Sequence, residues 1–227
     1  MSALHSTPAA LVFDAYGTLY DVRSVAASCE RRLPGHGAAL TELWRRKQLE
    51  YSWLCGLMGR HPGFWSLTEA GLRHACRALG LALAPDAARE LMNEYLRLAC
   101  YPEVPGALAR LAERLPLAIL SNGTADMLAA VTAHNGLTGR FRHILSADEA
   151  GVFKPSPRVY RLAVERLGLP PGRIGFVSSN GWDAAGAKAA GLTVYWINRQ
   201  GLAPEELGLA PDREIRTLDD LAAIMNP

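Results

Sequence analysis

The 227-residue sequence contains only four cysteines, and no two of them form a CxxC pair. We therefore expect the cysteines to be neither zinc ligands nor partners in disulfide bridges. The six histidines show no metal-ligand spacing either, so we predict no metal site. In a reducing compartment the cysteines are expected to be small buried apolar residues; they are Cys29, Cys55, Cys76 and Cys100.

Long hydrophobic runs are also missing from the chain. No apolar stretch approaches the roughly 20 residues that a membrane-spanning helix needs. The first ten residues lack the basic start and the apolar run of an export signal. We therefore expect a soluble, cytoplasmic protein with no membrane partner.

Neither sign of charge is in clear excess, since 24 Lys and Arg stand against 22 Asp and Glu. A net charge of +2 gives no reason to expect nucleic acid as a partner. With 49% hydrophobic and 20% charged residues, the composition excludes a disordered chain. A chain of this length favours one domain, or one domain that carries an insert.

Five short apolar runs predict the strands of a parallel sheet, because a strand buried on both faces is apolar throughout. They occupy residues 9–13, 117–120, 143–145, 174–177 and 193–197. Predicted helices at residues 107–115, 125–135, 157–167 and 183–190 lie between the later runs, with proline or glycine at their limits. The alternation predicts an α/β fold built on a doubly wound parallel sheet.

Residues 22–98 break the alternation, because they contain no convincing strand. A possible capping box at residues 66–69 predicts a helix that runs to Gly80, and Pro85 begins another that reaches residue 98. Apolar residues recur at helical spacing before them, at Leu40, Leu43, Trp44, Tyr51, Leu54 and Met58. We therefore expect an all-helical cap at residues 21–98, inserted into a core made of residues 1–20 and 99–227.

Polar residues follow the predicted strands, where ligands bind in an open α/β sheet. They are Asp14, Ser121, Asn122, Lys154, Ser178 and Asn180, with Asp183 close behind. Each has a simpler interpretation when taken alone. Asp14 could cap a turn, Ser121 or Asn122 could cap a helix, and Lys154 could be a solvated loop residue. Their matching positions along one sheet favour a shared site.

Four motifs in this order resemble those of the haloacid dehalogenase superfamily. The first is FDAYGTL at residues 13–19, in which the leading aspartate is the family's nucleophile. LSNG at residues 120–123, Lys154-Pro155 and SSNGWD at residues 178–183 resemble the second, third and fourth. The resemblance spans nearly the whole chain and implies a Rossmann-like core with a helical cap.

The residue two positions after the nucleophile distinguishes the branches of this superfamily. Its phosphatases carry Asp-x-Asp and hold magnesium, whereas this chain has Tyr16 there, and a phenol with a pKa of about 10 is a poor general acid. The chain instead resembles the L-2-haloacid dehalogenases, a similarity that extends to LWRRKQLEY at residues 43–51 and WINR at residues 196–199. Two alternatives are a phosphatase that acts on a small metabolite, and a member of the superfamily that binds a small carboxylate or a protein partner without turnover.

The resemblance implies that Asp14 attacks the halogen-bearing carbon of an (S)-2-haloacid to give an ester. Water then cleaves this ester, so that halide and an (R)-2-hydroxy acid are released without a metal or cofactor. Lys154 is implied to keep Asp14 ionised and to hold the substrate carboxylate with Ser121. Asp183 is implied to orient or deprotonate the water, and the family also suggests a homodimer.

The remaining roles are carried over from the family in the same way. The halide would contact Arg45, Asn122 and Trp182. The geometry around Asp183 would depend on Thr18, Tyr160, Ser178 and Asn180. Further substrate contacts are implied for Ala15, Tyr16, Leu49, Phe64 and Trp182.

Several of these residues also have an ordinary structural interpretation. Leu49 and Phe64 equally fit packing inside the cap, and Tyr160 equally fits a core tyrosine. Arg45 lies in an Arg-Arg-Lys run, which is usually a solvated helix face. Arg46 stands where a glutamine is expected, and it would add a cation to the site if it faced the pocket.

Overall fold

The five apolar runs form strands of one parallel sheet in the computed structural model, which describes residues 7–226. A sixth parallel strand extends one edge, so that the order in the described residues is β3-β2-β1-β4-β5-β6. The predicted doubly wound fold is confirmed. The strands are β1 (Ala10–Phe13), β2 (Leu117–Ser121), β3 (His143–Ser146), β4 (Ile174–Ser178), β5 (Thr193–Ile197) and β6 (Arg213–Ile215).

Helices cover the sheet and fill the interval between β1 and β2. The interval holds α1 (Val25–Arg32), α2 (Gly37–Leu57), α3 (Phe64–Ala78), α4 (Pro85–Glu94) and α5 (Val104–Ala112). The later helices are α6 (Ala125–His134), α7 (Pro157–Leu167), α8 (Gly181–Ala189) and α9 (Leu218–Met225). Within residues 7–226, no helix combines the length and apolar character needed to cross a bilayer.

Several of the predicted helix limits are wrong. Helix α3 begins at Phe64 behind Gly63, whose φ is +81°, so Ser66 lies inside the helix and the expected capping box does not form. Helix α4 ends at Glu94 and not at residue 98, and α5 begins three residues earlier than residue 107. Cys29 and Cys76 are buried as expected, whereas Cys55 and Cys100 are only half-buried.

The register of the sheet brings the carboxyl ends of its central strands together. Phe13 at the end of β1 pairs with Ile119 of β2 on one side and with Val177 of β4 on the other. The order of the strands reverses between β1 and β4, and such a reversal opens the crevice in which α/β sheets bind ligands. The residues that follow these strands therefore face one crevice.

The chain leaves the core after Tyr20 and returns beside it. The backbone N–H of Asp21 donates to the Ala99 carbonyl at 2.9 Å, and that of Tyr101 donates to Leu19 at 3.1 Å. These bonds close the base of the helical segment at both of its ends. They support our proposal of a cap at residues 21–98 on a core of residues 1–20 and 99–227, of which 1–6 and 227 lie outside the described part.

Candidate active site

Asp14 lies one residue beyond β1, where one side chain of the same turn and two from distant segments bind its carboxylate. Thr18 Oγ1 and Asn180 Nδ2 donate to Oδ2 at 3.0 and 2.9 Å. Lys154 Nζ donates to Oδ1 at 3.2 Å. Both carboxylate oxygens thus accept hydrogen bonds, which gives this buried carboxylate a defined orientation.

The turn after Asp14 depends on Gly17 and Thr18. Gly17 has a φ of +91°, a conformation that side chains with a Cβ rarely adopt. The Thr18 hydroxyl accepts a bond from the Ser179 N–H at 2.9 Å, which leaves its proton to be donated to Asp14. The turn therefore places the Thr18 hydroxyl where it can donate to the Asp14 carboxylate.

Arg199, just beyond β5, supports the same turn, and sequence reasoning assigned it no role. Its Nη2 donates to the Thr18 carbonyl at 3.0 Å and its Nη1 to the Gly17 carbonyl at 3.4 Å. The guanidinium stacks 3.8 Å from the centre of the Tyr101 ring and pairs with Glu103 at 2.8 Å. The sequence feature that could have identified Arg199 is the WINR run at residues 196–199, in which this arginine is the last residue.

Lys154 and Asp183 form a buried charged cluster with Asp14. Lys154 Nζ lies 3.2 Å from Asp14 and 2.9 Å from Asp183, and the lysine side chain is only 1% exposed. Asp183, which is fully buried, also accepts bonds from Ser178 Oγ at 2.9 Å and Tyr160 Oη at 2.7 Å. One cation thus binds two carboxylates where they are shielded from water.

Burial raises the pKa of the Asp183 carboxyl above its usual range, and the negative charge of Asp14 acts in the same direction. The bonds from Lys154 and Tyr160 oppose this increase because they stabilise the carboxylate. Burial also raises the pKa of the Tyr160 phenol, as does the neighbouring Asp183. Tyr160 is therefore a neutral hydrogen-bond donor to Asp183.

Helix α2 supplies a cation from the cap. Arg45 Nη2 approaches the Tyr16 carbonyl at 3.5 Å, and its Nη1 donates to Gln48 Oε1 at 2.6 Å. Farther along the helix, the ring of Trp53 contacts that of Trp182 edge-on, with centroids 5.4 Å apart. The alternative interpretation, a solvated Arg-Arg-Lys face, does not hold for Arg45, while Arg46 is exposed and does not line the cavity.

A small cavity lies between the sheet and the cap. Its free volume is about 10 Å³, which is room for about one water molecule. Side chains from both segments form its wall: Asp14, Tyr16, Arg45, Leu49, Phe64, Ser121, Asn122, Lys154, Asn180 and Trp182. The structure therefore brings together residues from all four motifs and from α2 and α3.

The other predicted site residues lie behind this wall. They support the cavity residues through the bonds described above and are Thr18, Tyr160, Ser178 and Asp183. Ala15 is buried but is not part of the wall. Its predicted contact with substrate stays a prediction.

Comparison with known proteins agrees with the four motifs. A sequence model of the family described as haloacid dehalogenase-like hydrolase matches residues 8–191. The chain belongs to this family. The resemblance predicted from the motifs, and the prediction that the chain is a hydrolase, are confirmed.

Relatives of this haloacid dehalogenase-like hydrolase carry a more specific name. An enzyme of Pseudomonas sp. (strain YL), named (S)-2-haloacid dehalogenase, is 49% identical over 209 residues, which are 92% of this chain and 90% of that enzyme. A crystal structure of an L-2-haloacid dehalogenase superposes with a TM-score of 0.96 at 44% identity, covering 98% of this chain and 100% of the other.

A third comparison concerns a covalent complex. The L-2-haloacid dehalogenase of Xanthobacter autotrophicus, solved with chloropropionic acid covalently bound, has a TM-score of 0.89 and 42% identity. The match covers 96% of this chain and 98% of that one. This haloacid dehalogenase-like hydrolase therefore has the same backbone fold as an enzyme solved with a haloacid covalently bound.

Tyr16 is the residue by which the first motif of this haloacid dehalogenase-like hydrolase differs from the Asp-x-Asp of phosphatases. The phenol is buried, and burial raises the pKa of Tyr16 far above its usual value. Gly123 lets the ring approach closely, since a Cβ there would lie 2.7 Å from Tyr16 Cε2. A neutral tyrosine thus occupies the position at which a phosphatase of this superfamily carries its second aspartate.

The carboxylates of the site do not form a set of metal ligands. In the described part of the chain, no group of three or more His, Cys, Asp or Glu side chains is arranged to hold a metal ion. Asp14 and Asp183 are both bound by Lys154, and magnesium prefers carboxylate oxygens that it can bind directly. The residues present therefore do not fit a magnesium centre.

Proposed function

We propose that this hydrolase cleaves the carbon–halogen bond of small (S)-2-haloalkanoic acids and forms (R)-2-hydroxy acids by way of an ester on Asp14. The observation that carries the proposal is the arrangement of the cavity, where an oriented carboxylate and the cation of Arg45 line the same wall. The names of the relatives and the covalent chloropropionic acid complex of one of them support it.

In the first step, an Asp14 oxygen attacks the halogen-bearing carbon opposite the leaving group. The new C–O bond forms as the carbon–halogen bond breaks, and the halide leaves with the electron pair, which inverts the carbon. Asn122 Oδ1 already accepts a bond from the Lys154 N–H at 2.8 Å, so its amide protons are left to face the halide. Arg45 and Trp182 complete the halide site.

The substrate carboxylate is held on the opposite side of the cavity. Ser121 Oγ accepts from the Gly123 N–H at 3.3 Å, which leaves the hydroxyl proton for an anion. Lys154 adds its positive charge within the same wall. We propose that Tyr16, Leu49 and Phe64 surround the alkyl group, so chain-length selectivity should be graded.

In the second step, water attacks the carbonyl carbon of the Asp14 ester. Asp183 accepts one proton from this water and returns it to the departing alkoxide oxygen as the tetrahedral intermediate collapses. The 2-hydroxy acid leaves with the oxygen that Asp14 contributed, and the second proton of the water passes to solvent as the Asp14 carboxyl ionises. Burial raises the pKa of Asp183, which makes the ionised carboxylate a stronger base. Asp14 is regenerated with one oxygen from water.

Entry of substrate requires the cap to move. The cavity of about 10 Å³ is too small for a haloacid and is closed by contacts between cap and core. His61 lies 2.7 Å from Asp148 and stacks on Phe153 with centroids 4.3 Å apart. We propose that these contacts and the pair of Trp53 with Trp182 separate when substrate enters.

The proposed activity is tested by two assays on the same preparation. We expect release of chloride from (S)-2-chloropropanoate in the presence of EDTA, and no release of phosphate from a phosphomonoester in the presence of magnesium. Chiral analysis of the product should give (R)-lactate. Phosphate release alone would contradict the proposal in favour of a phosphatase, and silence in both assays would favour a binding protein.

The bond from Tyr160 to Asp183 predicts a shift in the pH profile. This bond lowers the pKa of Asp183, so Tyr160→Phe should raise that pKa further. As pH falls, the base is protonated at its pKa, and a higher pKa means that activity is lost at a higher pH. The acid limb of the kcat profile should therefore move upward in pH.

Tyr195→Phe is a matched control, since Tyr195 is a buried tyrosine of β5 away from the cavity wall. Its acid limb should coincide with that of the wild type. Tyr160→Phe should also lower the free energy of unfolding by about 1.5–3 kcal/mol, because the lost bond involves a charged acceptor. Coinciding acid limbs for Tyr160→Phe and wild type would argue against Asp183 as the base.

We further propose that the enzyme is a cytoplasmic homodimer that uses the cap helices as its interface, with no nucleic acid partner. The family resemblance and exposed apolar side chains at the end of α2, such as Leu57 and Met58, support this arrangement. Light scattering should then give twice the mass of one chain. A single-chain mass at micromolar concentration would contradict it.

A further inference from the structure

Gln48 is a completely buried amide on α2, one turn after Arg45. Its Oε1 accepts a bond from Arg45 Nη1 at 2.6 Å. A buried glutamine is uncommon unless its polar atoms are bonded. The site described above uses Arg45 but gives no role to the residue that holds it.

The other end of Gln48 is fixed by helix α3. Gln48 Nε2 lies 2.6 Å from Thr68 Oγ1, which in turn lies 2.7 Å from the Phe64 carbonyl oxygen. The single proton of the threonine hydroxyl is donated to that carbonyl, as is common for threonine within helices. The hydroxyl must therefore accept from Gln48, and this determines which end of the amide faces Arg45.

The backbone of α3 is itself held against α2 at this point. Trp44 Nε1 donates to the Thr68 carbonyl at 2.7 Å. Gly71 allows the helices to approach, since a Cβ there would lie 3.1 Å from the Gln48 backbone nitrogen. The hydrogen-bonded series from Phe64 through Thr68 and Gln48 to Arg45 thus begins on a rigid support.

We propose that Gln48 and Thr68 are positioning residues for the Arg45 guanidinium and thereby set how strongly the enzyme stabilises the departing halide. The inference rests on the proposed function, in which Arg45 contacts the halide. A neutral amide oxygen holds the guanidinium by a charge-assisted bond. A carboxylate at the same place would hold it equally well but would neutralise the charge that the halide needs.

Two variants test the acceptor and the neutrality of Gln48 one at a time. Gln48→Met keeps the volume but removes the acceptor, and Gln48→Glu keeps an acceptor but adds a negative charge. Because a displaced donor commonly costs up to about 10²-fold in rate, we expect kcat/KM for (S)-2-chloropropanoate to fall about 10–100-fold in both. Bromide is the better leaving group and needs less stabilisation, so the bromide-to-chloride ratio of kcat/KM should rise.

This ratio is the readout that a merely structural role would not move. Glu50→Gln is the control, since Glu50 lies on the other side of α2, where it pairs with Lys47 at 2.8 Å, and its ratio should equal that of the wild type. Thr68→Ser keeps the hydroxyl and should retain the wild-type ratio, whereas Thr68→Val should raise it. Thermal unfolding of each variant shows whether it is folded.

The outcomes distinguish this inference from the proposed function. Halide release by the wild type with an unchanged ratio in both Gln48 variants would overturn the inference alone. A lower melting temperature with equal losses for both substrates would also overturn it, because Gln48 would then be only structural. A wild type that releases no halide would overturn the proposed function and this inference with it.

Discussion

Asp14→Ala is expected to abolish halide release, with a fall in kcat of at least about 10⁴-fold, as is common when a covalent nucleophile is removed. The carboxylate is the group on which Thr18, Lys154 and Asn180 converge. Its loss removes the atom that attacks the substrate carbon in the proposed mechanism. The measurement is chloride release from (S)-2-chloropropanoate under saturating substrate. The control for Asp14→Ala is Thr217→Ser, which should keep normal turnover because the Thr217 hydroxyl caps α9 and does not line the cavity.

The same residue can be tested without mutation. In ¹⁸O-labelled water with enzyme in excess, a single turnover should place the heavy oxygen on Asp14, where mass spectrometry of peptides detects it. Label only in the product acid would show that water attacks the substrate carbon directly and would contradict the ester.

The sheet and the convergence of motifs could be predicted because both follow from local sequence. Strands buried on both faces are apolar throughout, and every central strand is such a run. Parallel strands share one carboxyl edge, so Asp14, Ser121 and Asn180 had to lie near each other. Strand β6 escaped prediction because two of its three residues, Arg213 and Glu214, are exposed and charged.

The contacts that position the site could not be predicted in the same way. Ser66 to Glu69 has the composition of a capping box, but the positive φ of Gly63 starts α3 earlier and Thr68 bonds within the helix. Gln48 and Arg199 have polar side chains that sequence reasoning places on the surface. Their partners come from segments remote in sequence, and only the folded arrangement brings them together.

The near-neutral composition conceals an uneven placement of charge. Two carboxylates, Asp14 and Asp183, are buried around one lysine, while Arg45 approaches from the cap. Taking charges out of water is costly unless they are paired. In the proposed mechanism a nucleophile and a base are both needed at one point, and Lys154 pairs with the two of them there.

Lys154→Met is therefore expected to affect both stability and activity strongly. The substitution leaves two buried carboxylates without their common cation, and removing one partner of a buried ion pair typically lowers the free energy of unfolding by about 3–5 kcal/mol. Activity should fall by about 10³-fold or more, because Asp14 loses a donor and, in the proposed mechanism, the substrate carboxylate loses its charge partner. Urea unfolding and chloride release measure the two effects.

A double variant separates the effect of Lys154 on folding from its effect on the reaction. Lys154→Met combined with Asp183→Asn removes one of the two unpaired charges, so part of the lost unfolding free energy should return. Activity should stay as low as in Lys154→Met, because neither the cation nor the base is present. Lys47→Met is the matched control, since Lys47 pairs with Glu50 on α2 where both side chains are partly exposed, and such an ion pair contributes about 1 kcal/mol or less. Near-normal chloride release by folded Lys154→Met would show that the buried cation serves stability alone.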